Sequence, residues 1–375
     1  MRYYLLTILT ACLFSQSVNA QSSSSGIRKY SNEFLAIGLG ARGMAMAGSN
    51  VASVSDITAG YWNPAGLTGI KSNLQVSGMH AEYFAGIAKY DYAAVGMPIK
   101  GGDKYLGFSF IRFGVDDIAN TLFLFEPDGS INYDNITSFN AADYAFMVSY
   151  AQPLGPKGMT VGGTVKVIHR NVGSFANSWG FGLDLGMQYA TGNWRFGLVG
   201  KDITSTFNAW SFNFTEEEKE VLEQTGNLVP ESSYELTAPK FVLGAGYDFG
   251  ISEKFGLLTE LNFDLTTDGR RNVLLSADPV SVDPHMGLEL DYNEFIFLRA
   301  GVGNIQKATS DDDLTESWLV QPNMGLGLQF RASDLIIHLD YAYTNIGNTE
   351  QLLYSHVFSL KLDFNKRSIK KNAQT

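Results

Sequence analysis

The sequence is nearly without cysteine. Its 375 residues hold one, Cys12, inside an apolar leader, so the rest of the chain can form neither a disulfide scaffold nor a thiolate metal site. Charge is scarce as well: 17% of residues are Asp, Glu, Lys or Arg, against roughly 25% in ordinary soluble domains. The balance is negative, −11 overall, which argues against nucleic-acid binding, since that rests on Lys and Arg neutralising phosphates. After the leader no apolar run reaches the ~18–20 residues of a membrane-crossing helix. The histidines (His80, His169, His285, His338 and His356) are dispersed and match no metal-ligand spacing, and no G-x-S-x-G elbow occurs. We therefore expect no metal, no cofactor and no enzymatic activity.

Glycine, by contrast, is abundant at 39 residues, and 45% hydrophobic content is enough to bury a core. Residues 1–20 combine Arg2, an apolar stretch from Tyr3 to Phe14, and Val18-Asn19-Ala20 before Gln21. These are the n-region, h-region and small-residue cleavage site of a secretory signal peptide. Its removal would take one charge, Arg2, and leave −11 − 1 = −12. An exported chain without a membrane helix is either soluble or a β-barrel.

Periodicity decides between these. Trp179, Phe181, Leu183, Leu185, Met187 and Tyr189 alternate with Gly180, Gly182, Asp184, Gly186 and Gln188, and similar alternation recurs to Phe364. The test yields about fourteen segments, each of the ~9–11 residues a tilted membrane strand needs. They centre near Val76, Ala93, Phe108, Met147, Val165, Leu183, Phe196, Leu243, Leu261, Leu288, Leu298, Leu326, Leu339 and Leu360. Every second connection is a short turn, as at Ala190-Thr191-Gly192-Asn193 and Tyr292-Asn293-Glu294, whereas 116–142, 204–239, 266–282 and 304–320 are long. Short turns at one end and long loops at the other describe an outer-membrane barrel. We expect an all-β, antiparallel transmembrane barrel of about fourteen strands over 73–364, a hatch segment over 21–72 and a basic periplasmic tail over 365–375.

If the Leu/Phe/Trp face meets lipid, the lumen receives Lys89, Asp91, Lys166, Asp184, Arg195, Glu260, Asp264, Glu289, Asp291, Arg299, Asp340 and Lys361. Both signs are present, so the plainer reading is a self-satisfied network, and a selectivity filter the sharper one. The long loops are acidic: Glu216, Glu217, Glu218, Glu220, Glu223, Glu231 and Glu235 in one, Asp311, Asp312, Asp313 and Glu316 in another. Such carboxylates could hold a divalent cation, although a solvated loop is the simpler account. Thr215 with Glu218 forms a capping box, predicting a short helix from Thr215 to about Glu223. Trp210, Phe212 and Phe214 precede it as candidate partner anchors or as interfacial belt residues.

The hatch segment is dense in small residues, with Gly38, Gly40, Gly43, Gly48, Gly60 and Gly66, and includes Arg42 and the run Trp62-Asn63-Pro64-Ala65-Gly66. Small residues let backbone pass close to other chain, as a plug must. The stretch IGLGARGMAMAGSNVASVSDITAGYWNPAGL, residues 37–67, resembles the N-terminal signature of FadL-like outer-membrane barrels and of the PorV/PorQ family. The segments HAEYFAGIAKYDYAA, IRFGVDDIANT, SWGFGLDLG, KDITSTFNAW and LRAGVGN are similar to a PorV-like subgroup of type IX sorting proteins. That resemblance implies a fourteen-strand barrel with an N-terminal hatch in the outer membrane. It further implies a non-enzymatic component of type IX protein secretion, partnered with the translocon or with cargo C-terminal signal domains. The alternative is a FadL-type passive transporter of hydrophobic small molecules. The lumen discriminates: a transporter needs an apolar pocket leading inward, a secretion partner an exposed loop surface.

Overall fold

The computed structural model describes residues 31–99, 102–126, 128–155, 157–230, 233–309, 316–345 and 354–365. The leader, the tail beyond residue 365 and the acidic run 311–313 lie outside the described residues. Two short helices, α1 (Ala41–Ala45) and α2 (Ala59–Trp62), and a 3-10 turn, Pro64–Gly69, precede the first strand. The strand segments are β1 (Leu74–Tyr83), β2 (Ala88–Ile99), β3 (Lys104–Asn120), β4 (Thr137–Pro153), β5 (Met159–Val172), β6 (Ala176–Thr191), β7 (Trp194–Lys201) and β8 (Thr206–Phe212). After helix α3 (Glu216–Gln224) come β9 (Ser233–Thr237), β10 (Lys240–Gly250), β11 (Phe255–Thr266), β12 (Ser281–Tyr292), β13 (Ile296–Thr309), β14 (Glu316–Ala332), β15 (Leu335–Asn345) and β16 (Tyr354–Phe364).

All pairings are antiparallel, and the ring is continuous because β1 pairs with β16 and β5 with β6. Sixteen segments make fourteen strands. β7 and β8 are one strand interrupted at residues 202–205, and β9 and β10 are another interrupted at Ala238 and Pro239. Below the break Lys201 pairs with Lys240, and above it Thr206 pairs with Thr237. Each of the fourteen expected strand centres falls within a strand. The capping box is present too: Thr215 Oγ1 accepts from the Glu218 amide and Glu218 accepts from the Thr215 amide, and together they start α3.

The outer face carries the alternating apolar residues. Phe181, Leu185, Leu198, Leu243, Leu261, Leu298, Leu326 and Leu360 are all exposed, in a pattern that only a lipid surround makes favourable. At one end the connections are tight, including Gly192 with Asn193 and Ser333 with Asp334. The other end holds the long connections 121–136, 213–232 and 267–280, with two short ones at 84–87 and 173–175.

The inner face is filled by residues 31–73. They approach the wall closely enough to require glycine: a Cβ on Gly186 would sit 2.0 Å from the Asn63 side-chain Oδ1, and one on Gly301 2.3 Å from the Met46 carbonyl carbon. On the β1–β5 side large apolar residues dominate the inward face, among small polar ones such as Ser109, Ser149 and Thr164 and a single paired lysine, Lys166. Met79, Tyr83, Tyr90, Tyr92, Ile111, Met147 and Ile168 pack with Phe34, Leu39, Met44, Ile57 and Leu67 of the hatch in one buried cluster. Lys89 and Asp91, expected to face the lumen here, are not among these inward residues, because the hatch offers apolar surface there and the wall matches it.

Candidate functional site

Three layers lie along the lumen. The lowest is the hatch and its attachments. Arg42 on α1 reaches Glu289 on β12 at 2.8 Å and Asn50 at 2.5 Å. Glu289 also takes Arg299 at 2.6 Å, and Arg299 takes Asp340 at 2.6 Å, so four charges spanning the hatch and strands β12, β13 and β15 satisfy one another. Lys361 donates to Asp56 at 2.7 Å. Burial alone would raise the Asp56 carboxyl, but Lys361, with help from Thr58 and Arg42, holds it well below the usual carboxylate range. Glu260 accepts from the Ala52 amide at 2.8 Å. Within the hatch, Trp62 Nε1 donates to the Leu39 carbonyl at 2.9 Å, and Asn63 Nδ2 donates to Val51 and to Met187 of the wall. Gly43 lies directly under the Trp62 ring. Gly38, Gly40 and Gly48 adopt positive φ, and a Cβ on Gly66 would meet the Val54 carbonyl. Pro64 opens the 3-10 turn that rests on β3 to β6.

Asp291 accepts from the Glu294 backbone amide at 3.3 Å, and other inward charges pair in the same way as those on the hatch. Lys166 binds Asp184 at 2.8 Å and also Asp202, Lys240 binds Asp264 at 2.8 Å, and Arg195 binds Asp248 at 2.6 Å. Two assignments need correction. Lys89 and Asp91 alternate with buried Tyr90 and Tyr92 and so point outward, not into the lumen. There Lys89 meets Asp116, and Asp91 meets His80 and Arg112. The side chains simply follow the pleat, and the apolar hatch takes the tyrosines.

Ser49, His285 and Asp264 form a chain, Ser49 Oγ to His285 Nδ1 at 3.1 Å and His285 Nε2 to Asp264 at 2.9 Å. The order is that of a nucleophilic triad, but Ser49 is fully buried where the hatch meets the wall and Asp264 is shared with Lys240. This arrangement fastens hatch to wall.

Above the hatch lies a chamber of about 790 Å³. Its lining joins apolar Phe34, Ile37 and Phe113 with charged Lys201, Lys240, Asp264 and Arg271. Lys201 Nζ sits 4.1 Å from the Tyr61 ring centroid and 5.3 Å from that of Trp62, so this cation rests on aromatic faces of the hatch.

The third layer is a cleft of about 620 Å³ at the long-loop mouth. Here the sequence-based view of Trp210, Phe212 and Phe214 as free loop aromatics is corrected. Trp210 and Phe212 lie in β8, paired with Ser178 and Ala176 of β6. They share a face with Asn208, which is buried against the hatch, and so they point inward. Trp210 stacks near Phe212 (centroids 6.3 Å), Phe212 near Phe214 (6.4 Å), and Phe214 near Phe175 (5.7 Å). With Leu122, Val172 and Pro230 they form an aromatic vestibule. Phe175 and Arg170 were not anticipated as site residues, and Glu235 was read only as one carboxylate of the acidic loop. Phe175 sits in a three-residue turn whose sequence carries no distinguishing signal.

No protein-family model matches the chain, and no curated protein matches it in sequence. Solved structures do. The chain is similar to the CymD monoaromatic hydrocarbon channel with a TM-score of 0.51 at 13% identity, over 88% of this chain and 98% of that one. The Ralstonia pickettii toluene transporter TbuX gives 0.50 at 12% identity, over 88% and 99%. The P. putida toluene transporter TodX gives 0.50 at 15%, over 88% and 99%. At such identities the likeness is one of fold, and it does not extend to the PorV/PorQ resemblance. The chain is a closed fourteen-strand antiparallel barrel with an N-terminal helical segment, the fold of these channels and transporters.

Proposed function

We propose that this chain is a passive outer-membrane transporter of hydrophobic small molecules. The observation that carries the reading is the aromatic vestibule set directly over a chamber that ends on the hatch. An apolar solute loses its unfavourable contact with water on reaching Phe175, Trp210, Phe212 and Phe214, and a mostly apolar concave site with few polar groups suits small-molecule capture. The lipid-compatible outer wall supports an outer-membrane setting, and the hydrocarbon channels of like fold support the solute class. The secretion-partner reading has less in its favour. It needs aromatic anchors free to meet a protein, and these three pack on one another inside the mouth.

The test is a deletion strain complemented with the native chain or with Trp210→Ala and Phe212→Ala together. Expected is slower uptake of radiolabelled toluene in both the deletion and the double variant, with normal heat-modifiable barrel in the variant and an unchanged secreted proteome. Normal toluene uptake with a depleted secreted proteome would replace this reading with the type IX role.

A further inference from the structure

The vestibule and the chamber share one lining residue that can separate them, Glu235 on β9. Its carboxylate accepts from Arg170 at 3.2 Å and from Ser31 Oγ at 3.0 Å, and it is buried. Arg170 in turn holds Asp143 at 2.8 Å and lies 5.1 Å from the Trp210 ring centroid, at the vestibule floor. The start of the described hatch is fastened at the same level. Asn208 Nδ2 donates to Ser31 Oγ at 2.5 Å and to Asn32 Oδ1 at 2.8 Å, while Thr237 Oγ1 accepts from Asn32 at 3.1 Å and donates to the Ser31 carbonyl at 3.0 Å.

From this geometry we infer that Glu235 and Arg170 form a gate between vestibule and chamber, with Ser31 and Asn32 as its bolt. The inference rests on the transporter reading and specifies its control point. An uncharged solute cannot pass a buried, hydrogen-bonded ion pair without displacing it, because the pair would be left partly unpartnered in a dry passage. The fold supplies a way to displace it. β9 is five residues long and, among the described residues, pairs with β8 alone, so its other edge carries no ladder there. It joins the ring through Ala238 and Pro239, opposite the break at 202–205. β8 itself stays laddered to β6 from Phe207 to Phe212, so β9 is the element that can shift, carrying Glu235 away from Arg170, which keeps Asp143 as partner on its own wall. The ties to Ser31 and Asn32 add to the β8 ladder in holding β9 in place.

The test uses the full chain carrying Thr266→Cys, a thiol in the chamber lining, since Cys12 is the only native cysteine and lies in the leader. The probes are N-phenylmaleimide, uncharged and aromatic, and a sulfonated maleimide of similar reactivity, both added to outer-membrane-embedded protein. Adding Glu235→Gln, or Ser31→Ala with Asn208→Ala, should speed N-phenylmaleimide labelling about tenfold, the rate change expected when a buried charge-assisted contact is lost. Heat-modifiability confirms that each variant folds. Folded variants that label at the parent rate would overturn the gate. The transporter reading fails separately, if the parent is labelled as fast by the sulfonated reagent as by the aromatic one.

Discussion

The inward faces of β1–β4 and of β10–β16 line one lumen and grip one hatch, yet they do so with different chemistry. On the first wall, contact is made by Met79, Tyr83, Tyr90, Tyr92, Ile111 and Met147 against apolar hatch residues. On the second, Glu260, Asp264, Glu289, Arg299, Asp340 and Lys361 face the hatch, and four of its residues answer them: Arg42, Ser49, Ala52 and Asp56. Apolar packing is indifferent to direction and to pH, whereas ion pairs fix one register and respond to protons. The hatch is thus held by a permissive grip on one side and a specifying grip on the other.

That contrast can be broken most sharply at Glu289. Glu289→Ala leaves Arg42 and Arg299 without their shared carboxylate, and removing one partner of a buried ion pair costs about 3–5 kcal/mol. Urea unfolding of the protein in lipid vesicles, followed by tryptophan fluorescence, measures it. Next comes a control on facing. Leu185→Arg puts a charge against lipid and is expected to cost about 2–4 kcal/mol near the midplane. Its neighbour Gly186→Arg would be no gentler, because Asn63 occupies that space. Limited proteolysis should then cut the hatch in Gly186→Arg and spare it in Leu185→Arg.

Asp56 tests the pH response of the specifying side. Its carboxyl is held below the ordinary value of 3.8 in the fold, so the folded state favours its charged form. The contribution is complete above that value and is lost as pH falls towards the folded one. Asp56→Asn should therefore lower the melting temperature at pH 7, by on the order of 2 kcal/mol in stability, and flatten its decline between pH 4 and pH 2. The permissive side should give the smallest effect. Ile111→Val trims one methylene from the apolar wall and costs about 0.5–1.5 kcal/mol, equally at pH 7 and pH 3. A pH-dependent loss there would erase the distinction between the walls.

The strands were legible because lipid imposes period-two alternation on the outer face whatever fills the interior, and all the marked centres, from Val76 to Leu360, obeyed it. The inner face was legible only where charge marked it. At Lys89 and Asp91 the polar residues lie outside, because Tyr90 and Tyr92 are taken up by the hatch, and no local pattern announces a partner more than twenty residues upstream. The break at 202–205 contains neither glycine nor proline, although Pro239 opposite it was a usable signal. In residues 207–214 aromatics occupy both phases, Phe207 against Trp210, Phe212 and Phe214, so the inward set could not be told from the outward one.

The hatch also ties together events far apart along the chain. Its turn Pro64–Gly69 rests on β3 to β6, neighbours in sequence, whereas α1 touches β13 to β16, the last strands of all. The same distant strand β16 must pair with β1 to complete the cylinder. One half of the stopper can therefore find its seat while the wall is still an open ribbon, and the other half has no seat until the C-terminal strands arrive. With glycines at Gly186 and Gly301 leaving no slack, the stopper cannot be threaded in afterwards. Sealing the cylinder and seating α1 depend on the same last strands.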